Sequence, residues 1–383
     1  MHITEQGGAD VRSRRSRLEE RAGVPVGDLS PTDRAISRRD LLKAAALGGA
    51  ALSMPQFLST FAADVPVARA APGKRRRIVF MTHSVDPFFI PIIVGVKEFT
   101  KLAGWDYQFT GPQKADNVPE IVNVLERLLA TKPDVFAMTI SDPTAQNRVI
   151  EQAMKQGITV ICFNAQTRSV REKYGIPWVG MPDEDSGYIN GQLAAKYAQK
   201  VTGRKDGEIV VTLIVPGAPN LETRAQYTIN AIKDHNKKNG TNFTWSKFAS
   251  DLDENTALQR IQAKWSADKN KIVAFAHTDW GDWYVGDFMD QNKLQGKFAN
   301  GGFDLLPGVM THMGKKNIQW SLGQNPYAQG WVTCALGHMA VERKYPPKDY
   351  QTGPEVVTEE NLAVVAAREE AWRKVRVTEI KVR

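Results

Sequence analysis

From Arg76 onward the chain repeats one local pattern, and that repetition limits the folds open to it. A short β-branched apolar run is followed by a polar turn and then by a segment whose apolar residues recur every three to four positions. Parallel strands joined by covering helices read this way, because a strand buried on both faces is apolar throughout while a helix lying on a sheet needs only one apolar stripe. Residues 78–81 form the first strand. Phe89, Ile92, Ile93, Val96 and Phe99 line one face of the helix after it, which Gly104 ends. A strand over 105–110 leads to a helix capped by Asn117, with Ile121, Leu125, Leu128 and Leu129 inward, and Pro133 closes it before a strand over 135–140. A helix over 144–156 and a strand over 159–163 repeat the unit.

After a strand-like 178–180, a long helix over 186–201 opens a second set. Its strands fall at 209–215, 243–248, 272–276, 298–301 and 318–322, alternating with helices near 221–238, 255–266, 282–291 and 327–343. The chain has 383 residues, and 313 follow position 70, a length that suits two domains. The fold class is therefore α/β, with two Rossmann-like lobes built on parallel sheets.

Ligands of such sheets bind beyond the carboxyl ends of the strands. The residues standing there are Asp86, Phe88 and Phe89 after the first strand, Ser141 and Asp142 after the third, and Asn164 after the fourth. In the second set they are Asn220, Glu222 and Arg224; Thr278, Asp279 and Trp280; Asp304; and Gln324 with Asn325. Carboxylates, planar amides, a guanidinium and aromatics suit a polyhydroxylated ligand: forked groups satisfy neighbouring hydroxyls in pairs, and an aromatic face covers the C–H side of a sugar ring. Each has a structural alternative. Asp86 can cap the helix that follows, Phe88 and Phe89 can be core, Asp304 and Asn325 can be caps, and Trp280 can be packing. A guanidinium at Arg224 in a first helical turn opposes the helix dipole, a local conflict that favours a functional role.

Ahead of the alternating region, Ser37-Arg38-Arg39-Asp40-Leu41-Leu42-Lys43 and the uncharged stretch 44–63 read as a twin-arginine export address. Gly48, Gly49, Ser53, Pro55 and Gln56 interrupt the stretch, which falls short of the roughly 18 apolar residues that span a bilayer. Ala68-Arg69-Ala70 offers a cleavage site after Ala70, with Ala63 the second choice, and a soluble periplasmic product is expected. Net charge is +8 for the whole chain and +6 once the leader's ten basic and eight acidic residues are removed. The basic clusters at 74–77 and 368–383 lack interleaved aromatics and read as solvated ends, which excludes nucleic acid as a partner. Cys162 and Cys334 read as two buried free thiols, with a disulfide the alternative. No metal-ligand spacing, Gly-rich phosphate loop or nucleophile–base pairing is present, so no cofactor and no enzymatic activity are expected. An exported enzyme acting on a small polar substrate is the alternative.

Residues 76 to about 345 resemble the type I periplasmic binding proteins for monosaccharides, the ribose-binding-protein group of ABC importers. Asp86-Pro87-Phe88-Phe89 stands where that group has N-P-F-F, Gly157-Ile158-Thr159-Val160 where it has G-I-P-V, and Asp134-Val135 through Ser141-Asp142-Pro143 resembles its D-[AG]-[IL] strand. Gly217 to Asn220 with Arg224 is similar to its G-x-x-x-N-x-x-R stretch, Gly302-Phe303-Asp304 to its G-[FY]-D, and Gln324-Asn325-Pro326 to its Q-[ND]-P crossover.

The resemblance implies a hinge of three crossings near Pro182, Gln324 and Thr352. The lobes then comprise 76–182 with 325–352, and 183–324 with 353–383. It implies that Arg224, Asp304 and Gln324 contact a sugar and that Phe88 and Phe89 pack on it, with Asp86 placing a carboxylate where the group has an amide. Two positions depart from the group: Asn164-Ala165 replaces Asp-Arg, and Thr278-Asp279 replaces Asn-Asp, which leaves monosaccharide, deoxysugar and polyol open. The implied partner is an ABC permease, with a chemoreceptor a second conceivable client, and the receptor is expected to be a monomer. A sugar-responsive repressor shares the fold but needs a helix-turn-helix where residues 1–75 hold the export address.

Overall fold

The computed structural model describes residues 75–380, so the twin-arginine segment and its cleavage sites lie outside the described residues. The first lobe opens with β1 (Arg77–Met81), a single 3-10 turn (Pro87–Phe89), α1 (Ile90–Ala103), β2 (Asp106–Thr110), α2 (Val118–Ala130) and β3 (Val135–Met138). α3 (Asn147–Lys155), β4 (Thr159–Phe163), α4 (Arg168–Tyr174) and β5 (Trp178–Gly180) follow. The second lobe runs α5 (Asp183–Thr202), β6 (Asp206–Leu213), α6 (Pro219–Asn239), β7 (Asn242–Ala249), α7 (Glu254–Asp268) and β8 (Ile272–His277). It continues with α8 (Asp282–Asn292), β9 (Ala299–Phe303), α9 (Pro307–Gly314) and β10 (Trp320–Gly323). The chain then returns through α10 (Pro326–Arg343) and β11 (Tyr350–Gln351), crosses again to β12 (Glu355–Val357), and closes with α11 (Leu362–Arg373).

The sheets have matching orders, β11-β5-β4-β3-β1-β2 and β12-β10-β9-β8-β6-β7. All pairs are parallel except β12, which runs antiparallel on the edge beside β10. β3 is apolar throughout and β8 is apolar up to its last residue, His277, and both are buried along their whole length, as strands covered by helices on both faces are. The backbone passes from one sheet to the other three times, at 181–182, 324–325 and 352–354, as the resemblance implies. Strand order reverses between β1 and β3 and between β6 and β8, which opens a crevice at the carboxyl ends of each sheet.

Helix contacts near the crossings depend on small residues. In α5, Gly187 and Gly191 lie against the backbone of Arg224 and Thr228 in α6; an added Cβ on Gly187 would stand 2.5 Å from the Arg224 carbonyl oxygen. Gly95 of α1 and Gly330 of α10 make the equivalent approach in the first lobe. Cys162 and Cys334 are both free and buried on opposite faces of the first sheet, in separate apolar clusters.

Two sequence expectations need correction. The C-terminal segment, assigned to the second lobe, contributes only β12 to that sheet; Val365 and Ile380 bury in the apolar cluster of α1, with Leu305 and Leu306 completing it. The terminal basic clusters are not simply solvated, because Arg76 pairs with Asp134 at 2.8 Å and Arg368 with Glu355 at 2.6 Å.

Candidate ligand-binding site

The side chains at the second crossing form one hydrogen-bonded chain. Arg224, in the second turn of α6, donates through Nε to Asp183 Oδ1 (2.9 Å), through Nη1 to the Thr278 carbonyl (3.1 Å) and through Nη2 to Gln324 Oε1 (3.3 Å). Its guanidinium carbon lies 4.7 Å from the centre of the Phe303 ring, close enough for cation–π attraction. Gln324 passes the chain on, donating through Nε2 to Asp304 Oδ1 (2.6 Å). The Gln324 carbonyl in turn accepts from Gln329 Nε2 (3.0 Å) and Thr352 Oγ1 (2.8 Å), and Gln329 Oε1 accepts from Asn164 Nδ2 (3.1 Å). Groups from α10, the 352 crossing and, through Gln329, the residue after β4 therefore hold the backbone that orients Gln324.

Asp279 clamps the crevice between β6 and β8. Its Oδ2 accepts from the Ile214 amide (2.8 Å) and its Oδ1 from the Gly281 amide (2.7 Å). Asp86 faces this group from the first lobe, accepting from the Phe88 amide (2.8 Å) and from the Ser84 hydroxyl. Phe88, Asp304 and Gln324 share the wall of a cavity of about 10 Å³, room for one water. A larger hollow of about 610 Å³ lies at the amino ends of β1, β3 and β4, where Arg76 is already paired with Asp134; it gathers no comparable set of free polar groups.

Burial dominates the electrostatics. It pushes Asp304 up to about 7 and Asp279 to about 6, with Arg224 opposing both shifts. Burial also raises Asp86 and Asp183, the latter against the pull of Arg224. Because Asp279 and Asp304 hold protons in the folded state that an unfolded aspartate releases near pH 3.9, their contribution to stability is complete below about pH 4 and is lost as pH rises through about 6 and 7. Thermal unfolding of the unliganded protein is expected to show a midpoint that falls between pH 5 and pH 8, and Asp304→Asn should flatten that slope. An unchanged slope in the variant would refute the assignment.

Residues 78–344, well over half of the chain, match the family model described as a periplasmic binding protein domain. The chain belongs to this family. Its fold is the type I periplasmic binding protein fold, two parallel-sheet lobes joined by three crossings. This periplasmic binding protein is 24% identical over 303 residues to the xylose/arabinose-binding protein XylF of Sulfolobus acidocaldarius, a match covering 75% of this chain and 72% of that one. It is 22% identical over 297 residues to the D-galactose/methyl-galactoside binding periplasmic protein MglB of Haemophilus influenzae, covering 74% and 87%. A carbohydrate transporter solute-binding protein of Agrobacterium radiobacter, solved with D-arabinose, superposes with a TM-score of 0.67 at 21% identity, covering 78% of this chain and 99% of that one.

The binding protein gathers Asp86, Phe88, Arg224, Thr278, Asp279, Asp304 and Gln324 of the sequence-derived set around the crossing. Asn164 reaches it through Gln329. Others are committed elsewhere. Phe89 is 1% exposed and packs edge-on against Phe88 and beside Phe109, so it belongs to the lobe core rather than to a ligand face. Asp142 accepts from the amides of Thr144 and Ala145, closing its own turn, and those bonds hold its carboxyl below the usual range. Glu222 is tied to Lys247 and the Gly217 amide. Asn220 starts α6 half-buried, and Trp280 packs edge-on against Tyr284.

Sequence reasoning missed Asp183, Asp282 and Phe303. Asp183 stands in the run Asp183-Glu184-Asp185, whose acidity suits a helix N-terminus and so drew no notice. Asp282 is fully buried with neither carboxylate oxygen hydrogen-bonded; burial, then the neighbouring Asp279 and Asp304, hold its pKa well above the ordinary value. Its only sequence signal was the spacing Asp279-Trp280-Gly281-Asp282 after a buried strand.

Proposed function

We propose that this chain is an exported receptor that captures a small carbohydrate, a monosaccharide or polyol, between its two lobes and delivers it to an ABC permease. One observation carries the reading: the chain Arg224–Gln324–Asp304 at the crossing, with Asp86 and Phe88 facing it from the other lobe. It presents acceptors, a guanidinium and an aromatic edge within one small volume, the chemistry that a ring of hydroxyls requires. Xylose, arabinose and galactose, the sugars for which the two relatives are named, are of this class.

A cavity with room for one water does not admit a sugar ring, so the lobes must part for entry and close again over the ligand. The three crossings supply the hinge, and binding energy is used to close it. In this reading the lobes are 76–182 with 325–352, and 183–324 with 353–361, the remaining tail touching both. The twin-arginine segment directs the chain to the periplasm, where it acts as a soluble monomer and a binding protein, not an enzyme; a chemoreceptor is a further conceivable client. Among the described residues no helix is long and apolar enough to cross a membrane.

Calorimetry on residues 71–383 with D-xylose, D-arabinose, D-galactose and myo-inositol is expected to find at least one tight binder. A ligand hydroxyl donates best to ionised Asp304, so affinity should rise between pH 6 and pH 8. No binding to any of the four, or to a wider sugar panel, would sink the proposal.

A further inference from the structure

Residues 358–380 leave the second sheet and end on the first lobe. At the start of this path, Arg368 grips both oxygens of Glu355 in β12, at 2.9 and 2.6 Å. At its end, Trp372 stacks on Tyr327 with ring centres 4.9 Å apart, Lys97 Nζ donates to the Arg376 carbonyl (3.0 Å), and the Tyr107 hydroxyl bonds Glu379. Next to Trp372, Arg373 touches both lobes at once. Its Nη1 donates to the Pro87 carbonyl (3.2 Å), next to Phe88, and its Nη2 to the Leu305 carbonyl (2.9 Å), next to Asp304.

Glu369 lies one helical turn before Arg373 and is 2% exposed. Its Oε1 accepts from Arg368, but its buried Oε2 has no hydrogen-bond partner. Both side chains line the cavity walled by Phe88, Asp304 and Gln324. A buried carboxylate oxygen left without a hydrogen bond is costly even with Arg373 Nη2 at 3.9 Å, and Glu369 stands in the wall of a cavity where a hydroxyl donor could reach it. Arg373 holds a matching reserve. When the lobes part it cannot keep both carbonyl bonds, and a guanidinium carries five N–H groups in a fixed fork.

We propose that α11 is a wall of the ligand compartment, with Glu369 Oε2 accepting from one ligand hydroxyl and Arg373 donating to an adjacent ligand oxygen. The inference rests on the carbohydrate reading of the cleft. It assigns two specificity residues to a helix that lies outside both sheets and that shares a cavity wall with Phe88, Asp304 and Gln324.

The test is calorimetry on the full mature chain with the same four probes, comparing wild type with Arg373→Gln, Glu369→Gln and Lys97→Ala. Arg373→Gln is expected to weaken the sugars that wild type binds by about ten- to a hundredfold, the worth of a charged hydrogen bond. Glu369→Gln, nearly isosteric, is expected to change the ranking among the probes, which a merely structural role would not do. Lys97→Ala loosens the tail's anchorage away from the cavity and should leave affinity within twofold. Affinity for Arg373→Gln within twofold of wild type overturns the proposal, as does an equal loss in Lys97→Ala. If Arg373→Gln fails to fold, an unchanged ranking in Glu369→Gln overturns it alone. Wild type binding no sugar fails the carbohydrate reading itself, and this inference with it.

Discussion

Arg224→Ala is expected to abolish ligand binding and to cost about 3–5 kcal/mol of folding stability, the range for removing one partner of a buried ion pair. Its side chain and that of Asp183 are only 6% and 11% exposed, so the truncated protein would bury the Asp183 carboxylate with its principal partner gone. The Thr278 carbonyl and Gln324 Oε1 would lose donors in the same step, freeing the amide that holds Asp304. Urea denaturation and calorimetry separate the two losses through the double variant Arg224→Met with Asp183→Asn. Removing both charges should recover much of the stability while binding stays absent, because no forked donor is restored. A single variant that unfolds at the wild-type midpoint would show the pair to be energetically idle.

Gly187→Ala should have the next largest effect, although its added methyl meets only the Arg224 backbone. The added Cβ meets backbone atoms of Arg224, which cannot swing aside as a long side chain would. α6 must retreat from α5, at a cost of about 1–3 kcal/mol typical of overpacking. The retreating residue is Arg224 itself, so affinity is expected to fall by roughly tenfold as its hydrogen bonds lengthen. Gly191→Ala is the control, since it presses on Thr228 one turn further along. It should show a similar fall in denaturation midpoint with a smaller loss of affinity. Equal affinity losses in the two variants would mean that the helix pair moves as a block and that Arg224 is not singled out.

The alternation of strands and helices is readable because strands buried on both faces are uninterrupted apolar runs, such as Ile272 to Ala276, while the helices between them carry one apolar stripe. β11 and β12 were not readable. They are two and three residues long and exist only because Tyr350 meets Val179 and Val356 meets Leu322, pairings that no local pattern records. The packing of α11 is not legible in its basic residues, since groups that hold them, Glu355 and the carbonyls of Pro87 and Leu305, lie outside the helix. Within the site, Arg224, Asp304 and Gln324 were legible from their place after strands. The separate fates of Phe88 and Phe89 were not, because adjacent identical side chains are told apart only by the direction each takes from its turn.

Three residues in or beside the site, Asn164, Asp304 and Asn325, have positive φ angles of 56°, 72° and 48°. Apart from glycine, asparagine and aspartate tolerate that backbone best, and other side chains pay roughly 1–2 kcal/mol. Among polar side chains, the exchange of amide for carboxylate is therefore the least costly way to retune this receptor at these positions, although four lysines of the chain also adopt positive φ. Each exchange trades a group that both gives and takes hydrogen bonds for one that only takes them. Diversification would then proceed by inverting the polarity of single hydroxyl contacts, while the shape of the compartment stays nearly constant.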